Sequence, residues 1–309
     1  MNVTAADWAV LLAIVGTLFA VDLLVATLRP HALGFREAAL WYALFAAAAA
    51  GFGAALTALE GWDYGGQFFA GYIVENSLSV DNLFVFVILM SSFAVPAERQ
   101  QRVLIFGIAA SLCLRAVVIA VGAVLLSALS FMFLVFGLAL LWTAFRLIAK
   151  RDADPDVADS ALVRAARRLL PATDRYDGGR LVTPLFIVFI AIGGTDLLFA
   201  LDSIPAVFGV TSEAYIVFAA NAFALLGLRA LYFLVTGLLD RLVYLSAGLA
   251  VILAFIGAKL ILHWAHGLSD GVPEIGTLLS LAVIGGVLAV TATASLIRSR
   301  RDPPAQAGA

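Results

Sequence analysis

The stretch GYIVENSLSVDNLFVFVILM, from Gly71 to Met90, is as long as a membrane-spanning helix and nearly as apolar as one. A helix crosses the hydrocarbon core of a bilayer with about 20 mainly apolar residues. Two acidic residues, Glu75 and Asp81, nevertheless lie within this stretch. The stretch therefore predicts a membrane-spanning helix with two acidic residues inside the bilayer. The rest of the chain must explain both the span and its charges.

The composition of the whole chain is that of a membrane protein. Of its 309 residues, 63% are hydrophobic and 13% are charged, whereas a soluble domain is about half apolar and about a quarter charged. The net charge is −2, whereas proteins that bind nucleic acids carry clustered basic residues in excess. We therefore expect the lipid bilayer as a partner and no nucleic acid.

Nine apolar runs are long enough to cross a bilayer, and we expect them to be helices, because a helix satisfies its own backbone hydrogen bonds in lipid. The predicted fold class is all-α: a polytopic bundle of about nine transmembrane helices that forms a single domain over residues 1–309. The polar stretch 150–182 is predicted to be a loop within that domain. The predicted spans are 8–28, 38–59, 67–92, 103–126, 128–149, 183–208, 214–236, 243–264 and 277–297.

The basic residues outside these spans all lie in the loops on one side of the predicted membrane. The loops on the opposite side contain acidic residues and no Lys or Arg. Because short cytoplasmic loops are enriched in Lys and Arg, this asymmetry predicts an N-terminus outside the cytoplasm and a cytoplasmic C-terminus. The loop 150–182 is then cytoplasmic as well.

Four carboxylates are predicted at bilayer depth: Glu75 and Asp81 in the third span, and Asp196 and Asp202 in the sixth. A charge at the centre of a membrane helix costs roughly 2.5–3.5 kcal/mol, so each one requires a function or a partner. The two pairs share a spacing of six residues, and the surrounding segments ENSLSVDNLFVF and DLLFALDSIPAVF are similar. Because these spans run in opposite directions, spans three to five and six to eight are predicted to be inverted repeats, which in transporters meet at an ion site near the midplane.

The spacing of six limits how one helix can use both of its carboxylates. On a regular helix the two side chains point about 120° apart and lie about 9 Å apart along the axis, so they cannot both reach one ion. Either the helix is locally unwound, for which Gly193, Gly194 and Pro205 in the sixth span are candidates, or the carboxylates face partners on different helices.

Oxygen atoms dominate the predicted site, which suits Mg²⁺, Ca²⁺ or Mn²⁺ better than zinc or copper. The same carboxylates could instead relay protons, or form ion pairs that only hold helices together. Four central acids against about two central bases leave negative charge for a cation. Further candidate ligands or lining residues are Asn76, Asn82, Ser203 and Asn221. Candidate charge partners are the basic residues Arg115, Arg229 and Lys259, and the acidic residue Asp22.

Four segments together resemble the TerC family of integral membrane proteins, from about Gly71 to Leu262: YIVENSLSVDNLFVFV, TPLFIVFIAIGGTDLLFALDSIPAVFGVT, NAFALLGLRALYFLVTGLLDRL and GLAVILAFIGAKL. The resemblance implies a multi-pass inner (plasma) membrane protein, related to the LysE-type transporter superfamily and acting in metal-ion homeostasis and tellurium resistance. It implies Mn²⁺ as the transported ion, exported from the cell, with no permanently bound cofactor. The family's acidic metal site would fall on Glu75, Asp81, Asp196 and Asp202. Family members often carry a glutamate where this chain has Gly193, which would leave its site one carboxylate short.

We therefore expect a transporter of divalent metal ions and not an enzyme, since the chain contains neither a nucleotide-binding motif nor a nucleophile–base constellation. Export against a gradient requires coupling, for which protons are the expected partner. The alternative hypothesis is a membrane scaffold, in which the charges only pin helices together and the loop 150–182 docks cytoplasmic tellurite-resistance proteins. Pairing of Arg115, Arg229 and Lys259, each with one of the four acids, would favour the scaffold. Acids that converge on a cavity without a basic partner would favour transport.

Overall fold

The computed structural model describes residues 1–28, 33–92, 95, 97–149, 184–236, 244–269 and 271–301. In some helical segments the description covers the backbone but not the side chains, and Asp81, Asn82 and Asp202 are in such segments. The predicted cytoplasmic loop 150–182 lies outside the described residues. Regular structure in the described part of the chain is entirely α-helical, which confirms the predicted fold class.

The described residues form nine helices whose bounds follow the nine predicted spans. Seven of these helices are long and apolar enough to cross a membrane. The other two, α3 and α6, are those that carry the four acidic residues singled out from the sequence. The helices are α1 (Ala5–Leu28), α2 (Phe35–Glu60), α3 (Trp62–Ser92), α4 (Ala97–Ala128), α5 (Met132–Ala149), α6 (Pro184–Phe208), α7 (Ala214–Thr236), α8 (Leu245–His266) and α9 (Thr277–Arg301).

Both acidic helices are continuous. The helix α6 runs through Gly193 and Gly194 without a break, and Pro205 lies inside its last turn. Of the two alternatives left open by the six-residue spacing, a locally unwound α6 is therefore excluded for the described backbone. Pro205 lacks the backbone donor that would bond to the carbonyl of Leu201, and the helix nevertheless continues to Phe208.

A single residue, Gly61, links α2 to α3. Its φ is 98°, a left-handed conformation that glycine adopts without steric cost. Its N–H donates to the carbonyl of Thr57 at 3.0 Å and so caps the end of α2. This tight reversal brings α2 and α3 together as neighbours, and they pack against each other.

The most enclosed helix is α7, whose side chains are almost all buried among α2, α3 and α4. Aromatic rings fill the core beside it, and the ring centroids of Phe52 and Phe223 lie 5.1 Å apart. The helix α4 packs against α6 and α7, and α5 packs along α8. Because lipid is as apolar as these side chains, close packing and interhelical hydrogen bonds hold such helices together. Glu75 of α3 and Asp196 of α6 are thereby buried inside the bundle.

Candidate functional site

Arg115 of α4 lies at the centre of a buried polar cluster that four helices build. It contacts Glu75 of α3 through Nη1, and its Nη2 lies 3.2 Å from Oδ1 of Asp196 on α6. The same Nη1 donates to Oδ1 of Asn221 on α7 at 2.8 Å. Two of the four predicted acids and one predicted lining residue therefore meet around one predicted charge partner.

Asp196 accepts hydrogen bonds from two residues of α4 that lie one turn apart. Its Oδ2 accepts the hydroxyl of Ser111 and, at 3.3 Å, the Nε–H of Arg115. Residues four apart project from the same face of a helix, so Ser111 and Arg115 reach the same carboxylate. Ser203, two turns beyond Asp196 on α6, lies 3.3 Å from Nη1 of Arg115. The arginine thus joins both acidic helices.

The members of this cluster are sealed from solvent and lipid. Glu75 and Asn221 have no exposed surface, Arg115 is 1% exposed and Asp196 is 2% exposed. Such groups must be paired, because an isolated buried charge is very costly. With all of them ionised, two carboxylates face one guanidinium. In that state the described part of the cluster would carry one negative charge in excess.

Two buried oxygen atoms on α3 have no hydrogen-bond partner among the described residues. They are Oε2 of Glu75 and the hydroxyl of Ser79. Since these residues are four apart, both atoms lie on one face of α3. Buried polar atoms are rarely left unsatisfied in proteins. On this face of α3, Oε2 of Glu75 is consequently a carboxylate oxygen to which the described residues donate no hydrogen bond.

The structure leaves several predicted site residues untested. The side chains of Asp81, Asn82 and Asp202 lie outside the described residues. Among the described residues, no group of three or more His, Cys, Asp or Glu side chains is arranged to hold a metal ion. The predicted four-carboxylate metal site therefore stays a prediction.

Asn76 does not face the cluster. Its Oδ1 accepts the hydroxyl of Tyr42 at 3.3 Å, and its Nδ2 donates to the carbonyl of Tyr72 at 2.9 Å. Consecutive residues of a helix point about 100° apart, which turns Asn76 toward α2 while its neighbour Glu75 faces α4. Asn76 lines a different part of the bundle from the acids.

A second buried ion pair joins Arg229 of α7 to Asp22 of α1. The Nε atom of Arg229 lies 3.1 and 3.0 Å from the two carboxylate oxygens. The guanidinium also lies over the ring of Trp41, 5.9 Å from its centroid. The carboxylate of Asp22 neutralises the guanidinium, so Arg229 contributes no net charge to the Arg115 cluster.

Lys259 lies apart from both ion pairs. It lines a polar cavity of about 370 Å³ at the predicted outer end of the bundle, together with Gln67 and Glu274. In the same cavity Nδ1 of His263 lies 2.9 Å from Oε1 of Glu274. Of the three candidate basic partners, Arg115 alone pairs with described members of the acidic set.

Sequence reasoning did not single out Ser111 and Trp41. A signal for Ser111 exists in its spacing, because a hydroxyl four residues before a membrane-buried arginine shares its helix face. Trp41 carries no such signal, since its contact with Arg229 depends on how α2 packs beside α7.

Comparison with known proteins agrees with this architecture. The model of the TerC family of integral membrane proteins matches residues 60–303. The membrane protein Rv2723 of Mycobacterium tuberculosis is 44% identical over 97% of this chain and 81% of its own length. The membrane protein STKORF319 of Myxococcus xanthus is 40% identical over 98% of this chain and 95% of its own length.

A plant relative extends the family beyond bacteria. The chloroplastic thylakoid membrane protein TERC of Arabidopsis thaliana is 42% identical over 72% of this chain and 60% of its own length. No solved structure matches the chain. The family match covers seven of the nine described helices, including every helix that contributes to the Arg115 cluster. The chain therefore belongs to the TerC family of integral membrane proteins.

Proposed function

We propose that this protein transports a divalent metal ion across the inner membrane, that Mn²⁺ is its cargo and that it moves the ion out of the cytoplasm. The observation that carries this proposal is the excess of buried carboxylate around Arg115. Glu75 and Asp196 share a single guanidinium, and one oxygen of Glu75 has no described partner. An ion pair that only joined α4 to one neighbouring helix would need one of these acids, whereas a network that joins three helices would use both.

The chemistry of the cluster suits a hard cation. Carboxylate, amide and hydroxyl oxygens come from Glu75, Asp196, Asn221, Ser111 and Ser203, and oxygen donors of this kind favour Mg²⁺, Ca²⁺ and Mn²⁺. We propose that Asp81 and Asp202, one from each acidic helix, act at a neighbouring position on the path of the ion, because a continuous helix cannot aim two carboxylates six residues apart at one ion. The protein then acts as a carrier without a permanently bound cofactor, and not as an enzyme.

In this proposal Arg115 is a tethered cation that competes with the metal. The guanidinium occupies the space between two carboxylates that an ion would neutralise. When a divalent ion enters, Arg115 must withdraw from at least one of them, because two oxygen anions cannot serve both cations fully. When the ion leaves, Arg115 or a proton restores neutrality, which provides a route for proton coupling.

The arrangement of the helices supports an inverted repeat of α3–α5 and α6–α8. Exchanging the two halves converts the packing of α3 on α7 into the packing of α6 on α4, and both contacts are present. The packing of α5 on α8 is converted into itself and is also present. Equivalent segments LCLRA and LGLRA place Arg115 and Arg229 on α4 and α7. Transporters of this construction bind their ions where the two halves meet.

Manganese flux through the purified full-length chain in lipid vesicles tests the proposal. Each of the substitutions Glu75→Gln, Asp81→Asn, Asp196→Asn and Asp202→Asn should reduce the flux by at least about tenfold, because ligand loss costs at least as much as the loss of a supporting contact. Glu60→Gln at the exposed end of α2 is the matched control and should leave the flux unchanged. Equal flux in all five variants and the unsubstituted chain would refute transport at this site.

A scaffold function is the second candidate, and the bridging position of Arg115 favours it. One arginine that ties α3 to α6 is what a structural network requires. In that case the acids matter for stability, and the loop 150–182 binds cytoplasmic tellurite-resistance proteins. The scaffold predicts no manganese flux from the unsubstituted chain, and it predicts that deletion of residues 152–178 abolishes partner binding without altering cellular manganese.

A further inference from the structure

A groove of about 360 Å³ lies between α2, α3, α8 and α9, on a different face of α3 from the Arg115 cluster. Its volume is within the range of small-molecule sites, about 300–1,000 Å³. The residues along it are mostly half-buried. The groove is therefore open to the surroundings of the bundle, which are lipid for a membrane-spanning protein.

The groove combines an apolar body with uncharged hydrogen-bonding groups. Leu245 and Leu288 provide apolar surface, whereas Tyr42, Asn76 and Ser295 provide hydroxyl and amide groups. The contact from the Tyr42 hydroxyl to Asn76 is long at 3.3 Å. Polar groups are costly against hydrocarbon unless they are hydrogen-bonded. These neutral groups suit a ligand that is mainly apolar and carries carbonyl oxygens.

A positive charge stands at the rim of this groove. Arg298 lies one turn beyond Ser295 on α9, is exposed, and donates from Nη1 to the hydroxyl of Tyr244 at 3.3 Å. The backbone N–H of Tyr244 in turn donates to the hydroxyl of Ser295 at 3.0 Å. A contiguous path therefore leads from the neutral interior of the groove to a guanidinium, a group that binds phosphate well.

We infer that this groove binds one anionic phospholipid from the leaflet at the Arg298 end of the bundle. One acyl chain lies against Leu245 and Leu288, and the ester carbonyls accept hydrogen bonds from the hydroxyls of the groove. The phosphate pairs with Arg298. This site is distinct from the proposed ion site, because its side chains face α2 and α9 and the acids face α4 and α7.

Lipid retention by the full-length chain tests this inference. The purified protein is stripped of lipid in detergent, titrated with dioleoylphosphatidylglycerol or dioleoylphosphatidylcholine, and followed by native mass spectrometry. The phosphatidylglycerol should bind about fivefold more tightly than the phosphatidylcholine, since one basic residue near a membrane contributes about that factor. Arg298→Ala should abolish this preference. Inorganic phosphate alone should leave the mass unchanged, and a bound phosphate ion would overturn the assignment to lipid.

A second pair of variants tests the position of the acyl chain. Ala292 is exposed and lines the groove, and Ala292→Phe should block it and prevent retention of either lipid. Ala289→Phe, at an exposed position on the same helix outside the groove, is the matched control and should retain lipid. Unchanged binding in Ala292→Phe would overturn the proposal, as would equal binding of the two lipids by the unsubstituted chain. Because Arg298 is exposed, the test of headgroup preference does not depend on how Ala292→Phe folds.

Discussion

Arg115 determines how stable the acidic centre of the bundle is. Replacement of Arg115 by Met removes the one described cation that Glu75 and Asp196 share. Breaking a buried pair in this way costs about 3–5 kcal/mol, because the remaining charge is left uncompensated. We expect a loss of this size in the free energy of unfolding of the purified protein in detergent.

The matched control for this prediction is Lys259→Met. Lys259 is a half-buried cation in the cavity at the outer end, and it contacts neither ion pair. Its replacement should change the free energy of unfolding by no more than about 0.5 kcal/mol. Millimolar Mn²⁺ should then raise the melting temperature of the Arg115 variant more than that of the unsubstituted chain. Equal stability of the two variants would contradict the pairing described above.

Gly193 offers room for one more carboxylate in the site. A Cβ atom built at this position meets no atom of the described residues within 4 Å, and the residue lies three before Asp196 on α6, so the two share a helix face. Gly193→Glu should therefore fold and should strengthen Mn²⁺ binding by adding an anionic oxygen ligand.

Gly193→Gln provides the same length of side chain without the charge. Isothermal titration of both variants with Mn²⁺ separates the contribution of charge from that of space. We expect a gain of about tenfold or less for the glutamate and none for the glutamine. A gain of the same size in both variants would show that charge at this position does not matter.

At the scale of the helices, the sequence predicted most of the architecture. The predicted and observed bounds of α7 coincide at 214–236, and those of α6 differ by one residue. This agreement has a physical basis, because the thickness of the hydrocarbon core sets the length of an apolar run and the polar loops end it. The pairing partners of the charges depend instead on how each helix is rotated, and hydrophobicity does not determine that rotation.

The acidic helices illustrate where prediction from sequence stopped. Their spacing of six residues argues against a single straight helix that aims both carboxylates at one ion. It did not distinguish an unwound helix from a shared site, and the glycines of α6 suggested unwinding. The structure has a continuous α6, and Glu75 and Asp196 meet at Arg115 from different helices. Which residues of α4 lie opposite α6 depends on how the two helices are rotated, and a single sequence does not give that rotation.

The interface between α5 and α8 depends on two facing glycines. A Cβ atom on Gly257 would lie 2.8 Å from the carbonyl oxygen of Gly137, too close for van der Waals contact. Small residues let membrane helices approach this closely. Gly257→Ala should therefore destabilise the protein by about 1–3 kcal/mol through overpacking, measured by unfolding in mixed micelles.

The control for this interface is Gly286→Ala on α9. A Cβ atom there meets nothing within 4 Å, and alanine is the better helix former by about 1 kcal/mol. We expect no destabilisation from this change. Equal stability of the two alanine variants would show that the close approach of α5 and α8 does not limit the size of the side chain at position 257.

The whole molecule is predicted to have its N-terminus outside the cytoplasm. In a chain whose one cysteine, Cys113, is replaced by Ala, Ser269→Cys and Ser160→Cys place single thiols in loops on opposite sides. Because basic residues concentrate in the loop that contains Ser160, a membrane-impermeant maleimide should label Ser269→Cys in intact cells. It should label Ser160→Cys only after permeabilisation. The reverse pattern would invert the predicted topology and with it the direction assigned to transport.

The ion pair between Asp22 and Arg229 has a consequence for biosynthesis. The two residues are 207 positions apart, and a ribosome adds about 5–20 residues per second, so about 10–40 s separate their appearance. During that interval α1 must remain in or near the insertion machinery with an uncompensated carboxylate, or insert with that carboxylate protonated. The helix α1 can therefore take its final position in the bundle only after α7 has been synthesised. Premature release of α1 into lipid would leave Arg229 without its counter-charge, and the nascent chain would then be a substrate for membrane quality control.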